Sequence, residues 1–199
     1  MKSINKIELI GEVIEKRMYE KSGYIGLRLD VGERHEVFAK SFYLGMSAKL
    51  NAEVSKGDKV KIMGFVKCME FISPDTGEKR HLSQVSMLQA EKVEAEQENF
   101  IRWELEGRLL EPIYAYTGSG WMKGKFVLIG TLTNGDEKPY TVILTDEELA
   151  KRMERETEPG QILRVRGKLG KYIAKGDAGE KIWRPCMYMT EDITNAIQD

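Results

Sequence analysis

The sequence predicts an all-β protein built from two similar barrels in tandem. A Gly-led segment at residues 57–66 returns at residues 160–169. In both copies apolar and polar residues alternate, which is typical of a strand with one buried and one solvated face. Two weaker matches flank this pair in the same order, residues 7–13 with 103–109 and residues 75–79 with 177–181. We interpret the pattern as one supersecondary unit that is present twice.

The chain length supports two domains. Its 199 residues suffice for two domains of about 100 residues each, and a domain of that size can bury its own core. A Glu-rich, weakly apolar segment lies between the two copies. We therefore predict a first domain at residues 1–92, a linker at residues 93–99 and a second domain at residues 100–199. A helix that continues from the first domain is the alternative for the linker.

Alternating apolar residues in the first copy predict five strands, with a short helix between the third and the fourth. A polar loop at residues 15–23 follows the first strand, and a turn at residues 73–77 joins the last two strands. The predicted strands are residues 4–13, 24–31 and 37–42, the Gly-led strand from residue 57, and residues 82–88; the predicted helix is residues 45–55.

The second copy repeats this order with a longer first loop, residues 111–123, in which Trp121 and other aromatic residues lie among glycines. Residues 126–132 are apolar on both faces, which predicts a strand that is covered on its second side. Thr145 and Glu148 form a capping-box pattern that opens a predicted helix of about ten residues.

Five strands with a helix between the third and the fourth describe the OB-fold, a five-stranded Greek-key barrel. We therefore predict two tandem OB-fold barrels, each with a short helix between strands three and four. Ligands of this fold bind on the face of strands two and three, and in the loops that join strands one to two and four to five.

Composition argues against several functional classes. The net charge is −1, so bulk charge does not indicate nucleic-acid binding, and any basic surface must come from local segregation of charge. His35 and His81 lack partners at the spacing of a metal site or a catalytic triad. The loop at residues 118–120 lacks the Lys and the helix of a phosphate-binding motif. We therefore expect no enzyme activity, no cofactor and no metal.

We expect a cytoplasmic protein without a membrane partner. No apolar run reaches the roughly 18 residues of a membrane span, and the first residues lack the apolar block of a secretory signal. Cys68 and Cys186 have no metal-like spacing. One cysteine in each predicted domain suits free thiols in a reducing compartment.

Three stretches of the first copy resemble the bacterial and phage single-stranded DNA-binding protein family, to which some primosomal OB-fold proteins are related. They are residues 5–11, residues 56–64 and the hairpin at residues 71–79. The resemblance covers most of residues 4–90 and, more loosely, residues 100–190.

The resemblance implies that single-stranded DNA is the ligand, held by bases stacked on exposed aromatic rings and by basic residues at the backbone. By position it assigns stacking roles to Phe71 on the hairpin, to Tyr172 as the match of Phe71 in the second copy, and to Phe42 near the third strand. Family members usually carry one OB domain and form tetramers, so two domains here imply a homodimer. Residues 196–199 do not match the acidic tail of the family, which leaves replication proteins as weakly supported partners.

Basic and aromatic residues on the predicted strands and hairpins complete the candidate interface. Basic residues recur on the Gly-led strands, where they would neutralise phosphates; an ordinary solvated face is the alternative. Aromatic residues flank the basic hairpins, where they would stack bases; rings that cap the barrel core are the alternative, and for Trp121 it is packing against a sister domain or subunit. The candidates are Arg28, Lys40, Phe42, Lys59, Lys61, Lys67, Phe71, Lys79, Arg80, Trp121, Arg164, Arg166, Lys171, Tyr172, Lys175, Trp183 and Arg184.

The predicted function is therefore binding of single-stranded DNA, largely without sequence preference, in replication, recombination or repair. The alternative is an OB-fold assembly factor, such as a primosome or phage structural adaptor, whose barrel faces bind protein and no nucleic acid. In an intermediate case, one domain binds DNA and the other only dimerises.

Overall fold

The fold was analysed in a computed structural model. It describes residues 3–32, 35–72, 79–131, 135–175 and 181–194, with the side chains of residues 70–72, 79–82 and 183 left outside that description. The described chain is mostly β-strand, with two helices, which confirms the predicted all-β class. It divides into two compact units. We call residues 6–102 the N-terminal unit, and residues 103–199 together with residues 1–5 the C-terminal unit.

The N-terminal unit contains a closed five-stranded barrel. Its strands follow the order β2-β3-β5-β4-β1, and β1 pairs back onto β2. All neighbouring strands are antiparallel except β3 and β5, which are parallel. The elements are β1 (Asn5–Tyr19), β2 (Tyr24–Asp30), β3 (Glu36–Ser41), α1 (Leu44–Glu53), β4 (Lys59–Ile72) and β5 (Lys79–Val93). This closed barrel has the architecture of the OB-fold.

The C-terminal unit repeats the order with one short additional strand. Its strands are arranged β6-β10-β11-β9-β8-β7, and β6 also pairs with β8. The parallel pair is β9 with β11. The elements are β6 (Phe100–Leu109), β7 (Tyr114–Ala115), β8 (Gly124–Thr131), β9 (Glu137–Leu144), α2 (Glu147–Glu156), β10 (Ile162–Lys175) and β11 (Lys181–Asp192).

Every second residue of the strands faces a barrel interior. In β2, for example, Ile25, Leu27 and Leu29 are fully buried, and burying side chains of this size stabilises a fold by about 1.5–3 kcal/mol each. In the C-terminal unit the buried side chains are larger. Trp103 packs edge-on against Tyr140 at 5.9 Å between ring centroids, and its indole N–H donates to Asn5 Oδ1 at 2.9 Å.

The glycine that closes each copy of the repeat is required by a close approach of two strands. A Cβ atom on Gly64 would lie 2.1 Å from the carbonyl oxygen of Ser86, and a Cβ atom on Gly167 would lie 2.2 Å from that of Tyr188. A register shift accompanies each glycine, as at a β-bulge. The two glycines therefore meet the same constraint in their own units.

Three local predictions were wrong. Residues 15–19 are not a loop, because β1 continues to Tyr19 and pairs with β2 until Tyr19 lies opposite Tyr24. Long pairing also extends β5 to residues 79–93, since it follows β4 over nearly its whole length. The α2 helix has its predicted length, but its N-cap is Asp146 rather than Thr145: Asp146 accepts a hydrogen bond from the backbone N–H of Leu149 at 2.6 Å.

Residues 3–5 belong to the C-terminal unit although they come first in the chain. Ser3 and Thr131 exchange hydrogen bonds: the Ser3 backbone N–H donates to the Thr131 carbonyl, and the Thr131 N–H donates to Ser3 Oγ. The Glu106 N–H donates to the carbonyl of Ile4 at 2.7 Å. Asn5 reaches the hydroxyl of Tyr140 at 3.0 Å.

Candidate nucleic-acid interface

The outward side of β2 and β3 in the N-terminal unit carries a row of side chains that crosses the barrel. Arg17 lies opposite Gly26, Gly26 opposite Lys40, Lys40 beside Ser86, and Ser86 opposite Phe65. Directly paired residues point to the same face of a sheet, and the residues between them are buried in the core. This row therefore lies on the outer surface.

Cationic side chains lie against aromatic rings across this surface. The Lys40 ammonium is 4.3 Å from the ring centroid of Tyr19 and 5.5 Å from that of Phe42. The Lys67 ammonium is 4.8 Å from the Phe42 ring and 5.5 Å from the Phe65 ring. We name the surface the aromatic–lysine face; its members are Arg17, Tyr19, Tyr24, Phe38, Lys40, Phe42, Phe65 and Lys67.

A glycine leaves room for the rings of this face. A Cβ atom on Gly26 would lie 3.0 Å from the Phe38 ring and 3.1 Å from the Tyr19 ring. Both rings therefore pack against the backbone of this glycine, where a side chain would obstruct them. Tyr24 meets Phe42 edge-on at 5.6 Å between centroids. Phe42 remains 39 % exposed, which leaves ring surface for a flat ligand.

The cations of the face have no acidic partner within the described part of the chain. Among the described side chains, no carboxylate forms an ion pair with Arg17, Lys40 or Lys67. Arg28, on the same strands, differs: it contacts Glu15 at 3.5 Å and Glu36 at 3.7 Å. The charge of Arg28 is therefore neutralised by two carboxylates, whereas no described carboxylate neutralises the cations that lie near the rings.

Three of the four basic residues that recur on the Gly-led strands form ion pairs inside their own unit. Lys61 contacts Glu8 at 3.1 Å, and Arg164 contacts Glu104 at 3.0 Å. Both pairs join matching positions of the two copies. Arg166 also contacts Glu104, at 2.9 Å, while Lys59 donates to the carbonyl of Gln97. The recurrence of Lys61 and Arg164 therefore has a structural cause, because each holds the matching glutamate of its own unit. In the described N-terminal unit, Lys59 and Lys61 contact these partners rather than a ring of the aromatic–lysine face.

The pKa values of the two carboxyl groups reflect these pairs. The hydrogen bond from Lys61 lowers the pKa of Glu8 below its ordinary value, against a smaller opposing effect of burial, and Arg102 lowers it further. Burial alone would raise the pKa of Glu104, but hydrogen bonds from Arg164 and Arg166 outweigh it and the net pKa is lowered. Both groups are therefore charged at neutral pH.

The corresponding face of the C-terminal unit differs at almost every position. Strand register matches Arg28 with Val127, Lys40 with Ile143, Gln84 with Cys186, Ser86 with Tyr188 and Lys67 with Gly170. Ile143, Tyr172 and Cys186 form a buried cluster there, against which Met122, Ala174 and Tyr188 pack. The outer face of this unit is thus closed by apolar side chains.

The long loop of the C-terminal unit contributes to this closure. Met122 packs on the buried cluster, and Trp121 meets Tyr188 edge-on at 5.9 Å between ring centroids. Trp121 is nevertheless 58 % exposed. The Lys125 ammonium lies 5.7 Å from the Tyr172 ring centroid.

The predicted match of Tyr172 with Phe71 was wrong. Counted from Gly64 and Gly167, strand register places Tyr172 at the position of Met69, and Ala174 at that of Phe71. Tyr172 is also 9 % exposed, because it belongs to the buried cluster.

The remaining hairpin candidates belong to the C-terminal unit or have side chains outside the described residues. Lys171 and Lys175 are exposed on β10 of the C-terminal unit. Arg184 lies opposite Tyr172, and its Nε is buried without a partner among the described residues. The side chains of four candidates lie outside the described residues: Phe71, Lys79, Arg80 and Trp183.

Sequence reasoning missed five members of the aromatic–lysine face, namely Arg17, Tyr19, Tyr24, Phe38 and Phe65. Phe38, Lys40 and Phe42 alternate along one strand, so the outward side of β3 could have been identified from spacing. Arg17 and Tyr19 could not, because their stretch was taken for a loop. Neither helix of the described chain, at ten residues each, could span a bilayer. The described residues hold no cluster of three or more His, Cys, Asp or Glu that could bind a metal ion.

Comparison with solved structures identifies the fold. The single-stranded DNA-binding protein from Thermus aquaticus matches with a TM-score of 0.69 at 16 % sequence identity, covering 96 % of this chain and 93 % of that one. The chain shares its OB-fold architecture. A deletion variant of the same Thermus protein matches equally well, at 18 % identity over 96 % of this chain and 94 % of that one. No protein-family model matches the sequence, and no curated protein matches it.

Proposed function

We propose that this protein binds single-stranded DNA, and that the aromatic–lysine face of the N-terminal unit is the binding surface. One observation carries the proposal: Lys40 and Lys67 both lie against the exposed ring of Phe42, with no acidic partner among the described side chains. The face that they share includes β2 and β3, where OB-folds bind ligands. The shared fold with a protein named for single-stranded DNA binding supports it. The two units then act as tandem OB-fold domains, each with its helix between the third and fourth barrel strands.

Binding on this face combines two physical contributions. The rings of Phe42 and its neighbours stack bases, which typically contributes about 1–3 kcal/mol per base. The lysines lie on the rings in the unbound protein and move to backbone phosphates as bases take their place. Neither contact depends on base identity, so binding is largely independent of sequence, as replication, recombination or repair would require.

The C-terminal unit has a different role in this proposal. Its outer face is apolar and is occupied by its own loop, and Val127 and Ile129 are half-buried on the outward side of β8. This favours the alternative function, assembly through protein contacts, for this unit alone. A homodimer joined there would have twice the chain mass of 22.8 kDa, which light scattering in solution would detect. Cytoplasmic location and lack of enzyme activity stay predictions.

The position of the tryptophans allows a direct test. Trp103, Trp121 and Trp183 all belong to the C-terminal unit. Titration with fluorescently labelled oligo-dT should therefore raise the anisotropy of the label while tryptophan emission stays nearly constant. Phe42→Ala should weaken binding by about 2 kcal/mol, roughly thirtyfold, whereas Tyr114→Ala, at a more exposed ring of the C-terminal unit, should not.

Two results would contradict the proposal. Absence of binding to oligo-dT at low salt would exclude the DNA function and leave assembly as the explanation of the fold. Strong quenching of tryptophan on binding, with Phe42→Ala unaffected, would place the DNA on the C-terminal unit instead.

A further inference from the structure

Two polar side chains form a floor beneath the aromatic–lysine face. Gln84 is 6 % exposed and Ser86 is 1 % exposed. The amide nitrogen of Gln84 and the hydroxyl of Ser86 have no hydrogen-bond partner among the described residues. Buried polar groups are nearly always paired in folded proteins, and an unpaired one destabilises the fold because its hydration is lost without compensation. These two groups therefore need an explanation.

Their place in the sheet gives one. Val85, between them, is buried in the core, so Gln84 and Ser86 both point to the outer side of β5. Lys67 lies opposite Gln84, and Ser86 lies between Lys40 and Phe65. The floor thus lies between Lys67 on one neighbouring strand and Lys40 on the other, and the ammonium groups of both lysines lie on rings. If DNA binding moves these lysines to phosphates, the floor opens to a base.

The C-terminal unit shows that the fold does not require an unpaired floor. Its residues at the two positions are Cys186 and Tyr188. The Tyr188 hydroxyl donates to the backbone carbonyl of Lys171, and its ring packs over Gly170. At these two positions the described C-terminal unit therefore has no unpaired polar group, whereas the N-terminal unit has two.

We propose that Gln84 and Ser86 read the keto oxygen of a base stacked on the aromatic–lysine face. This inference rests on the proposed binding of single-stranded DNA. An amide N–H group donates to a carbonyl oxygen. Thymine presents such an oxygen where adenine presents an amino group. The floor therefore adds a preference for thymine over adenine to an otherwise sequence-independent site.

The test compares affinities for two oligonucleotides in matched variants of the full chain. The ratio of the dissociation constants for oligo-dA and oligo-dT is measured for the unmodified protein, for Gln84→Met and for Gln89→Met. Gln84→Met keeps the length of the side chain and removes the amide. Gln89 is exposed on the same strand and serves as the control. Self-stacking of oligo-dA affects all proteins equally and cancels in the comparison of ratios.

We expect Gln84→Met to lower the ratio about fivefold, the effect of losing one net hydrogen bond, and Ser86→Ala to lower it less. Gln89→Met should leave the ratio unchanged. The thermal midpoint of unbound Gln84→Met should stay the same or rise, because an unpaired amide has been removed.

Three results would overturn the inference, and they differ from one another. An unchanged ratio with intact oligo-dT binding refutes the role of the floor and leaves the proposed function standing. A lower thermal midpoint for Gln84→Met shows that the amide is paired within the folded protein. Failure of the unmodified protein to bind either oligonucleotide refutes the proposed function itself.

Discussion

The two units place different side chains on the same scaffold. Lys40 in the N-terminal unit occupies the position of Ile143 in the C-terminal unit. The first is a cation on an aromatic surface, and the second is a buried member of an apolar cluster. In contrast, the inward residues, the bulge glycines and the Glu8–Lys61 and Glu104–Arg164 pairs are shared features. Residues that recur in both units are those that the barrel requires, and the positions that diverge are those where the function of the units can differ.

The largest effects on stability are expected at the bulge glycines that both units share. Gly64→Ala and Gly167→Ala would each place a methyl group about 2 Å from a carbonyl oxygen, so each should destabilise its own unit by about 4 kcal/mol. Urea unfolding followed by tryptophan emission reports the C-terminal unit, and circular dichroism reports both. Gly45→Ala is the control, since nothing lies within 4 Å of that position in α1 and alanine favours helix. If all three variants unfold at the same urea concentration, the neighbouring strand does not approach Gly64 and Gly167 as closely as described.

Exchanging Lys40 and Ile143 should have effects of intermediate size. One substitution should change the stability of the C-terminal unit, and the other should change DNA binding by the N-terminal unit. Ile143→Lys buries an ammonium in an apolar cluster and should destabilise the C-terminal unit by about 3 kcal/mol. Lys40→Ile should leave stability nearly unchanged. It should reduce the slope of log K for oligo-dT against log salt by about 0.7, the value for one phosphate contact on a single strand. If Lys40→Ile leaves that slope unchanged, Lys40 does not contact phosphate.

The smallest effect concerns the shared ion pairs. The lowered pKa values of Glu8 and Glu104 mean that these groups contribute stability above the ordinary carboxyl range, and that the contribution is lost as the pH falls below about 4.5. Glu104→Gln should destabilise the C-terminal unit by about 2 kcal/mol at pH 7 and make its acid unfolding less dependent on pH. Glu8→Gln should do the same for the N-terminal unit. Unfolding curves of both variants at pH 7 and pH 4 measure this effect. If their stability depends on pH as strongly as that of the unmodified protein, other titratable groups dominate the acid unfolding.

The all-β class and most strand positions could be predicted from the sequence, because buried residues repeat every second position and glycines mark turns and close approaches. The sequence could not separate the ion-paired basic residues from those on rings. Lys61 and Lys67 lie on the same side of one strand, and only the neighbouring strands decide that one meets Glu8 and the other Phe42. Tyr172 was assigned to the surface because the long loop that buries its surroundings is remote in sequence.

Residues 3–5 come early in the chain but complete the C-terminal unit. The indole of Trp103 and the amide of Glu106 find their acceptors on Asn5 and Ile4, nearly a hundred positions upstream. No single contiguous fragment that excludes the N-terminal unit can therefore reproduce the C-terminal one. A recombinant fragment that begins at residue 100 would leave the N–H groups of Trp103 and Glu106 without these acceptors, and Trp103 would pack incompletely. Adding the first five residues as a synthetic peptide should restore the packing of Trp103.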